Sequence, residues 1–255
     1  MTAHPVRVRL AGGAGWPVPA ALIALSAIPL TAGTLRLVQL AGGPAVMPAD
    51  DRFTGFPAAL VVHIVGAAAF ALVGAFQFVP AIRRGHPAWH RGAGRVTAVA
   101  GLLVAGSALW LTLFYAPQPG TGDVLYVIRL VSGSALAASL VLGFAAIRRR
   151  DISAHRAWMI RSYALALGAG TQVFTEGIGG ALFGSGEIRS DLAKAAGWLI
   201  NLAVAEWAIR RPAGDRSQGS GQTAGGRPAY RRPLLRRGTR HSVAAVRQGR
   251  EEASL

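Results

Sequence analysis

Residues 57–91 read PAALVVHIVGAAAFALVGAFQFVPAIRRGHPAWHR. From Pro57 to Val79 the run carries a single ionisable side chain, His63, and a single amide, Gln77, and Arg83, Arg84 and Arg91 follow it closely. A bilayer core of about 30 Å asks for roughly 20 apolar residues in helical form. Arginines set directly after such a run are the flank of a membrane span. Working outward, runs of the same kind extend from Trp16 to Leu40, Pro57 to Ile82, Val96 to Ala116, Val124 to Ile147, Trp158 to Phe183 and Leu192 to Ile209. The separators are short and rich in Gly, Pro, Asp and Arg, as turns between antiparallel neighbours are. The expected fold is all-α, a six-helix transmembrane bundle over residues 16–209.

Composition agrees with that reading. The 255 residues are 52% hydrophobic and only 15% charged, and mean hydropathy is +0.38, which makes lipid the solvent of most of the chain. Yet 27 Lys+Arg against 11 Asp+Glu give a formal charge of +16, so apolar body and basic remainder occupy different segments. Cysteine is absent, which excludes a disulfide framework and a thiolate metal site. Lys194 is the only lysine, and the heavy use of Arg, Ala and Gly fits a GC-rich bacterial genome.

The arginines also set the expected orientation. Arg83, Arg84, Arg91 and Arg95 follow the second run, and Arg148, Arg149, Arg150, Arg156 and Arg161 follow the fourth, whereas the alternate separators hold few cations. The positive-inside rule then places those loops, the segment 1–15 and the tail 210–255 in the cytoplasm of a bacterial inner-membrane protein. The alternative for the first run is a cleaved signal peptide, preceded as it is by Arg7 and Arg9. From Arg210 the chain turns to Gly, Ser, Pro, Gln and Arg, a composition expected to form a disordered basic tail drawn to anionic headgroups. Nucleic acid is not an expected partner, because Tyr230 is the tail's only aromatic.

The two basic loops repeat a spacing. Arg83 and Arg84 precede His90 and Arg91 as Arg148 and Arg149 precede His155 and Arg156, which is what an in-chain duplication of hairpins leaves behind. Three segments resemble a bacterial family of predicted membrane proteins, domain of unknown function 2306. They are HIVGAAAFALVGAFQF with HPAWHRGAGR from His63 to Arg95, HRAWMIRSYALALGAGT from His155, and GWLINLAVAEWAIRR from Gly197. The resemblance implies a multi-pass membrane protein and no particular reaction. One departure is visible: the family pattern has Arg after the Thr of the fifth run, where this chain has Gln172 after Thr171.

Ionisable groups inside membrane helices are functional candidates. With a rise of 1.5 Å per residue, His63, Arg129 and Glu176 fall about 7–10 Å from the non-cytoplasmic ends of their spans, in one layer. Arg36, Tyr115 and Gln172 join that layer, and Asn201 forms its floor. Such a group holds a small anionic or polar ligand or relays a proton between Glu176 and His63, and Arg129 paired with Glu176 as a structural ion pair is the competing reading.

A second cluster is expected at the cytoplasmic margin: Gln77, His90, Arg91, Arg95, His155, Arg156, Arg161 and Glu206. His90 and His155 precede their spans by similar distances, so they are the candidate ligands for a haem or metal, with arginines on haem propionates. The competing reading has these side chains on phosphate headgroups and Glu206 on Arg210 or Arg161. No nucleophile elbow, Walker loop, zinc-protease motif or dinucleotide fingerprint is present, so the expectation is a binding or transport protein rather than an enzyme. A haem- or metal-binding redox protein and a structural or partner-binding subunit are the alternatives.

Overall fold

The computed structural model describes residues 16–53 and 56–211. The expectations for the basic N-terminal segment and for the tail beyond Arg211 lie outside those residues. Eight helices and no strand make up the described residues: α1 (Pro17–Leu40), α2 (Ala58–Phe76), α3 (Pro80–Gly85), α4 (Pro87–Phe114), α5 (Asp123–Arg148), α6 (Ile152–Ala166), α7 (Gly168–Phe183) and α8 (Glu187–Arg210). Of these, α1, α2, α4, α5 and α8 are each long and apolar enough to cross a membrane. The fifth of the six expected runs is two shorter helices, α6 and α7, divided at Leu167. The helices also start earlier than the hydropathy pattern indicates, since α4 takes in His90, Arg91 and Arg95 and α8 takes in Arg189, Ser190 and Asp191.

Polarity is inverted relative to a water-soluble domain. Leu102, Leu113, Phe114, Val131, Phe144, Leu199 and Val204 face outward, while Ser26, Thr97, Ser107, Ser139, Ser162 and Ser190 are buried. Several hydroxyls are satisfied within their own helices: Ser26 donates to Leu22 O, Thr97 to Ala93 O and Ser162 to Met159 O. Contact between helices therefore depends on small residues that let backbones approach. A Cβ on Gly66 would lie 3.3 Å from Ala100 O, and one on Gly74 would lie 2.7 Å from the Tyr163 ring. Tyr163 fills that hollow, stacks on Phe70 and donates its hydroxyl to Ala71 O at 2.6 Å.

The main packing pairs are α2 with α4, α5 with α6, and α7 with α8, with α4 against α5 and α1 against α2 closing the bundle. Trp16 edges onto Phe76, so α1 starts where α2 ends. Pro29 sits inside a continuous α1. It has no N–H to donate to Leu25 O, and that carbonyl oxygen lies where a Cβ on Gly170 of α7 would collide with it. Glycine at 170 thus brings α7 against the carbonyl that proline leaves open.

Several backbone groups that leave the helical ladder are completed from α8. At the α6–α7 junction Gly170 N donates to Leu167 O, three residues back, instead of continuing the four-residue ladder. The carbonyls upstream are met from α8: Trp198 Nε1 donates to Leu165 O at 3.1 Å and Asn201 Nδ2 to Ala164 O at 3.2 Å, while Asn201 Oδ1 accepts from Thr171 Oγ1 at 2.7 Å. A broken helix at membrane depth persists only when neighbours supply such partners. The start of α5 is completed in the same way. Its N-cap, Gly122, has no side chain to offer, and the carboxylate of Asp191 takes its place, accepting from Gly122 N and Leu125 N at 3.0 Å each. Asp191 is 1% exposed.

Removing these substitutes has a defined cost. Interhelical hydrogen bonds in membranes are worth about 0.6–2 kcal/mol each, so Asn201→Leu, which loses two, lowers unfolding free energy by about 1–3 kcal/mol. Asp191→Ala lowers it by about 1–3 kcal/mol, Asp191→Asn by less, and amide exchange at Gly122 and Leu125 accelerates in the former. Thermal unfolding in detergent measures both. A third expectation concerns pH. Asp151 caps α6, and the bonds it accepts from Ala154 N and Ser153 Oγ hold its carboxyl below the ordinary value of 3.8. A carboxyl depressed by folding contributes stability above its unfolded value and loses it as pH falls through the folded one. Amide exchange at Ala154 is therefore expected to rise only as the pH falls below 3.8, and Asp151→Asn removes that acid dependence.

Candidate functional site

The early start of α8 builds the main polar cluster. Gln172, Thr175, Glu176 and Gly179 recur at three- and four-residue intervals on α7, and Ser190, Lys194, Gly197 and Asn201 do so on α8, so each set forms one face. The close crossing is at Gly197, where a Cβ would lie 2.8 Å from Gln172 Cγ. Glu176 Oε1 accepts from Lys194 Nζ at 2.5 Å and from Ser190 Oγ at 3.0 Å, and Lys194 Nζ reaches Ser190 Oγ at 2.7 Å. Gln172 Nε2 donates to Lys194 O at 3.1 Å. Gln172, Glu176 and Asn201, expected in one site, therefore share the α7–α8 seam. The partner of Glu176 is Lys194, where the sequence left Arg129 as the candidate, because Lys194 faces Glu176 across the seam.

Two arginines near this cluster form no ion pair with a described carboxylate. Nε and Nη1 of Arg189 are buried with no hydrogen-bond partner among the described residues. Nη1 lies 3.5 Å from where a Cβ on Gly179 would be and 3.8 Å from one on Gly180, so two glycines of α7 make room for the guanidinium. Arg129 lies on α5 four residues after Leu125. Among the described residues it enters none of the ion pairs, which join Arg52 to Asp50, Arg161 and Arg210 to Glu206, and Lys194 to Glu176. Arg36 donates to Gln39 Oε1 and Pro48 O and so ties the α1–α2 connection to α1.

His63 is engaged elsewhere. Its Nδ1 lies 3.1 Å from Ser107 Oγ on α4, and that hydroxyl reaches Leu103 O at 2.6 Å. The Ser107 hydroxyl, with one proton to give, has the imidazole and the carbonyls of Leu103 and Val104 within reach. The structure thus brings His63 to Ser107, on the α2–α4 interface, and not to Glu176 or Arg129.

At the arginine-rich end, His90 and His155 each stand fourth in their helices, α4 and α6. His155 Nδ1 bonds Gly143 O at 2.9 Å. His90 Nδ1 and both polar atoms of the Gln77 amide are buried without a partner among the described residues. Glu206 takes a two-point contact from Arg161, at 2.6 and 3.2 Å, with Arg210 at 3.7 Å, as expected for this carboxylate. The Arg161 guanidinium also covers the Trp158 ring at 4.8 Å, and Arg156 Nη2 donates to Ala208 O. Arg91 and Arg95 form no ion pair with a described carboxylate. Among the described residues no three of His, Cys, Asp and Glu are arranged to hold a metal ion.

Hydropathy places Arg189, Ser190 and Asp191 in a loop, and Lys194 at the edge of the sixth run. The usable signal was the helical spacing of Ser190, Lys194 and Asn201, continuous with the apolar stripe that follows. The carboxylate of Asp191 had no such signal, since its partners lie on a helix about 70 residues earlier.

The family model for predicted membrane proteins, DUF2306, matches residues 60–209, from the first turn of α2 to the last turn of α8. No curated protein and no solved structure matches the chain. With apolar helices facing outward and that match spanning more than half its length, the protein belongs to the DUF2306 family of predicted membrane proteins.

Proposed function

We propose that the protein is a six-span membrane protein that binds a small anionic solute between α5, α7 and α8, with α6 and α7 together forming a discontinuous fifth span. The observation that carries this reading is half-buried Arg189, whose Nε and Nη1 are buried without a partner among the described residues in a niche made by Gly179 and Gly180. Burying a cation without a counter-charge is costly. The nearby negative charges are already engaged: Glu176 neutralises Lys194, and Asp191 is spent on the backbone of α5. Asp123 and Glu187 stand exposed in the first turns of their own helices. Arg189 therefore keeps two N–H donors that no described carboxylate meets, and an anion meets them.

A guanidinium presents a planar fork that matches a carboxylate or phosphate with two parallel hydrogen bonds, which makes those the favoured solute classes. Gln172 and the Glu176–Lys194 pair line the approach along the α7–α8 seam. Discontinuous helices are where membrane transporters place such sites, and the junction at Leu167 gives the seam a place to flex. The positive-inside rule puts both chain ends in the cytoplasm of a bacterial inner membrane and the Arg189 site at the opposite face.

Titration calorimetry and thermal shift of the purified protein against acetate, succinate, phosphate and sulfate test this. A saturable response to at least one is expected, with Arg189→Gln weakening it at least about tenfold, or about 1.4 kcal/mol, and Arg189→Lys less. No response to any of the four, or an unchanged affinity in Arg189→Gln, sinks the reading.

A further inference from the structure

The repeated loops offer an internal comparison. In the second, the imidazole of His155 is satisfied by Gly143 O of the preceding helix. In the first, the hairpin is interrupted: α2 ends at Phe76, and the short α3 intervenes before α4. The residue equivalent to Gly143 in the first loop is Phe78, and directly before it stands Gln77, the C-cap of α2. A Cβ on Gly94 would lie 3.6 Å from Gln77 Oε1, and Gly94 is one turn beyond His90, so Gln77 and His90 lie along the same strip of α4. Gln77 Nε2, Gln77 Oε1 and His90 Nδ1 are three buried polar atoms with no partner among the described residues. Polar groups buried so completely have partners in nearly all proteins.

The charge around them selects the partner. Arg83, Arg91 and His155 are the charged or titratable groups whose fields reach His90, and Arg95 follows one turn on. On this side Glu206 is held by Arg161 and Arg210, and Asp151 is engaged at the start of α6. A metal cation would enter against several arginines, whereas an oxyanion would be drawn in by them.

We infer that Gln77 and His90 form a binding site for a phosphate oxyanion, carried by an acidic phospholipid headgroup or free in solution, with Arg83 and Arg91 balancing its charge. The Gln77 NH2 and a protonated His90 Nδ1 donate to phosphate oxygens. Gln77 Oε1 accepts from a hydroxyl, which phosphatidylglycerol carries on its glycerol and inorganic phosphate on its own P–OH. This site is separate from the Arg189 cluster at the other end of the bundle.

The test uses the full-length Arg189→Gln protein, in which the other cluster is silenced, purified in zwitterionic detergent with phosphatidylcholine. The probes are phosphatidylglycerol in mixed micelles and inorganic phosphate, read as the thermal midpoint against concentration. A saturable rise is expected with phosphatidylglycerol alone if the headgroup is the source, and with both probes if the free ion binds too. Gln77→Leu is expected to weaken the apparent affinity at least tenfold while leaving the midpoint in phosphatidylcholine alone unchanged or higher, because it replaces an unpartnered amide with an apolar side chain of similar size. His90→Leu is the second variant and decides the matter if Gln77→Leu does not fold. The combined Arg148→Gln, Arg149→Gln and Arg150→Gln variant is expected to keep the rise. No rise with either probe, a rise undiminished in the two site variants, or a rise lost in the triple arginine variant alone would overturn the inference.

Discussion

Hydrocarbon offers no hydrogen bonds, so a backbone N–H or C=O that leaves a helical ladder inside the bundle has to be met by a side chain from another helix. In this protein much of that work falls to α8. Its Trp198 and Asn201 take the carbonyls of Leu165 and Ala164 beside the junction of α6 and α7, and its Asp191 closes the first turn of α5. Each of these bonds also fixes a neighbour's position. α8 is thereby more than one wall of the bundle: the break between α6 and α7 and the start of α5 both take their geometry from it.

Positioning by α8 carries the polar cluster with it. The same helix face that supplies Asn201 supplies Lys194 and Ser190, and these hold Glu176 of α7. Asp191 meets two backbone donors with one carboxylate and forms no ion pair with Arg129 or Arg189. Two cations are left without acidic partners because the acids near them have prior obligations. At the other end Glu206 is engaged by two arginines at once, and the surplus of arginine there is larger still. Both ends of the molecule therefore hold buried polar atoms without a partner among the described residues, two nitrogens of Arg189 at one and the Gln77 amide with His90 Nδ1 at the other.

Close approach of the helices makes these arrangements possible. Lipid tails are as apolar as leucine, so the outward residues do not drive helices together, and packing depends on small side chains. Gly74 receives the Tyr163 ring, Gly170 meets the carbonyl that Pro29 leaves open, and Gly179 with Gly180 admits Arg189. Larger residues at these places would separate the very pairs of helices between which the polar groups are shared. The glycines thus tie packing to chemistry, since they set the distances at which Trp198, Asn201 and Tyr163 reach their carbonyls.

Long apolar runs ending in arginine, small residues at four-residue spacing, and the repeated Arg-Arg to His-Arg pattern are local properties of the chain. From them follow an all-helical membrane protein, the two ends of its bundle, and the equivalent placement of His90 and His155, because burial of apolar length in lipid is additive along a segment. The family resemblance rested on the same segments. Which polar groups meet was decided elsewhere. Depth arithmetic put His63, Arg129 and Glu176 in one layer, but depth fixes only one coordinate. The rotation of each helix fixes the other two, and that gave Ser107 to His63 and Lys194 to Glu176. The break at Leu167 was hidden for a related reason: hydropathy sees a continuous apolar run, while the interruption exists because side chains from a helix some 30 residues later complete its backbone.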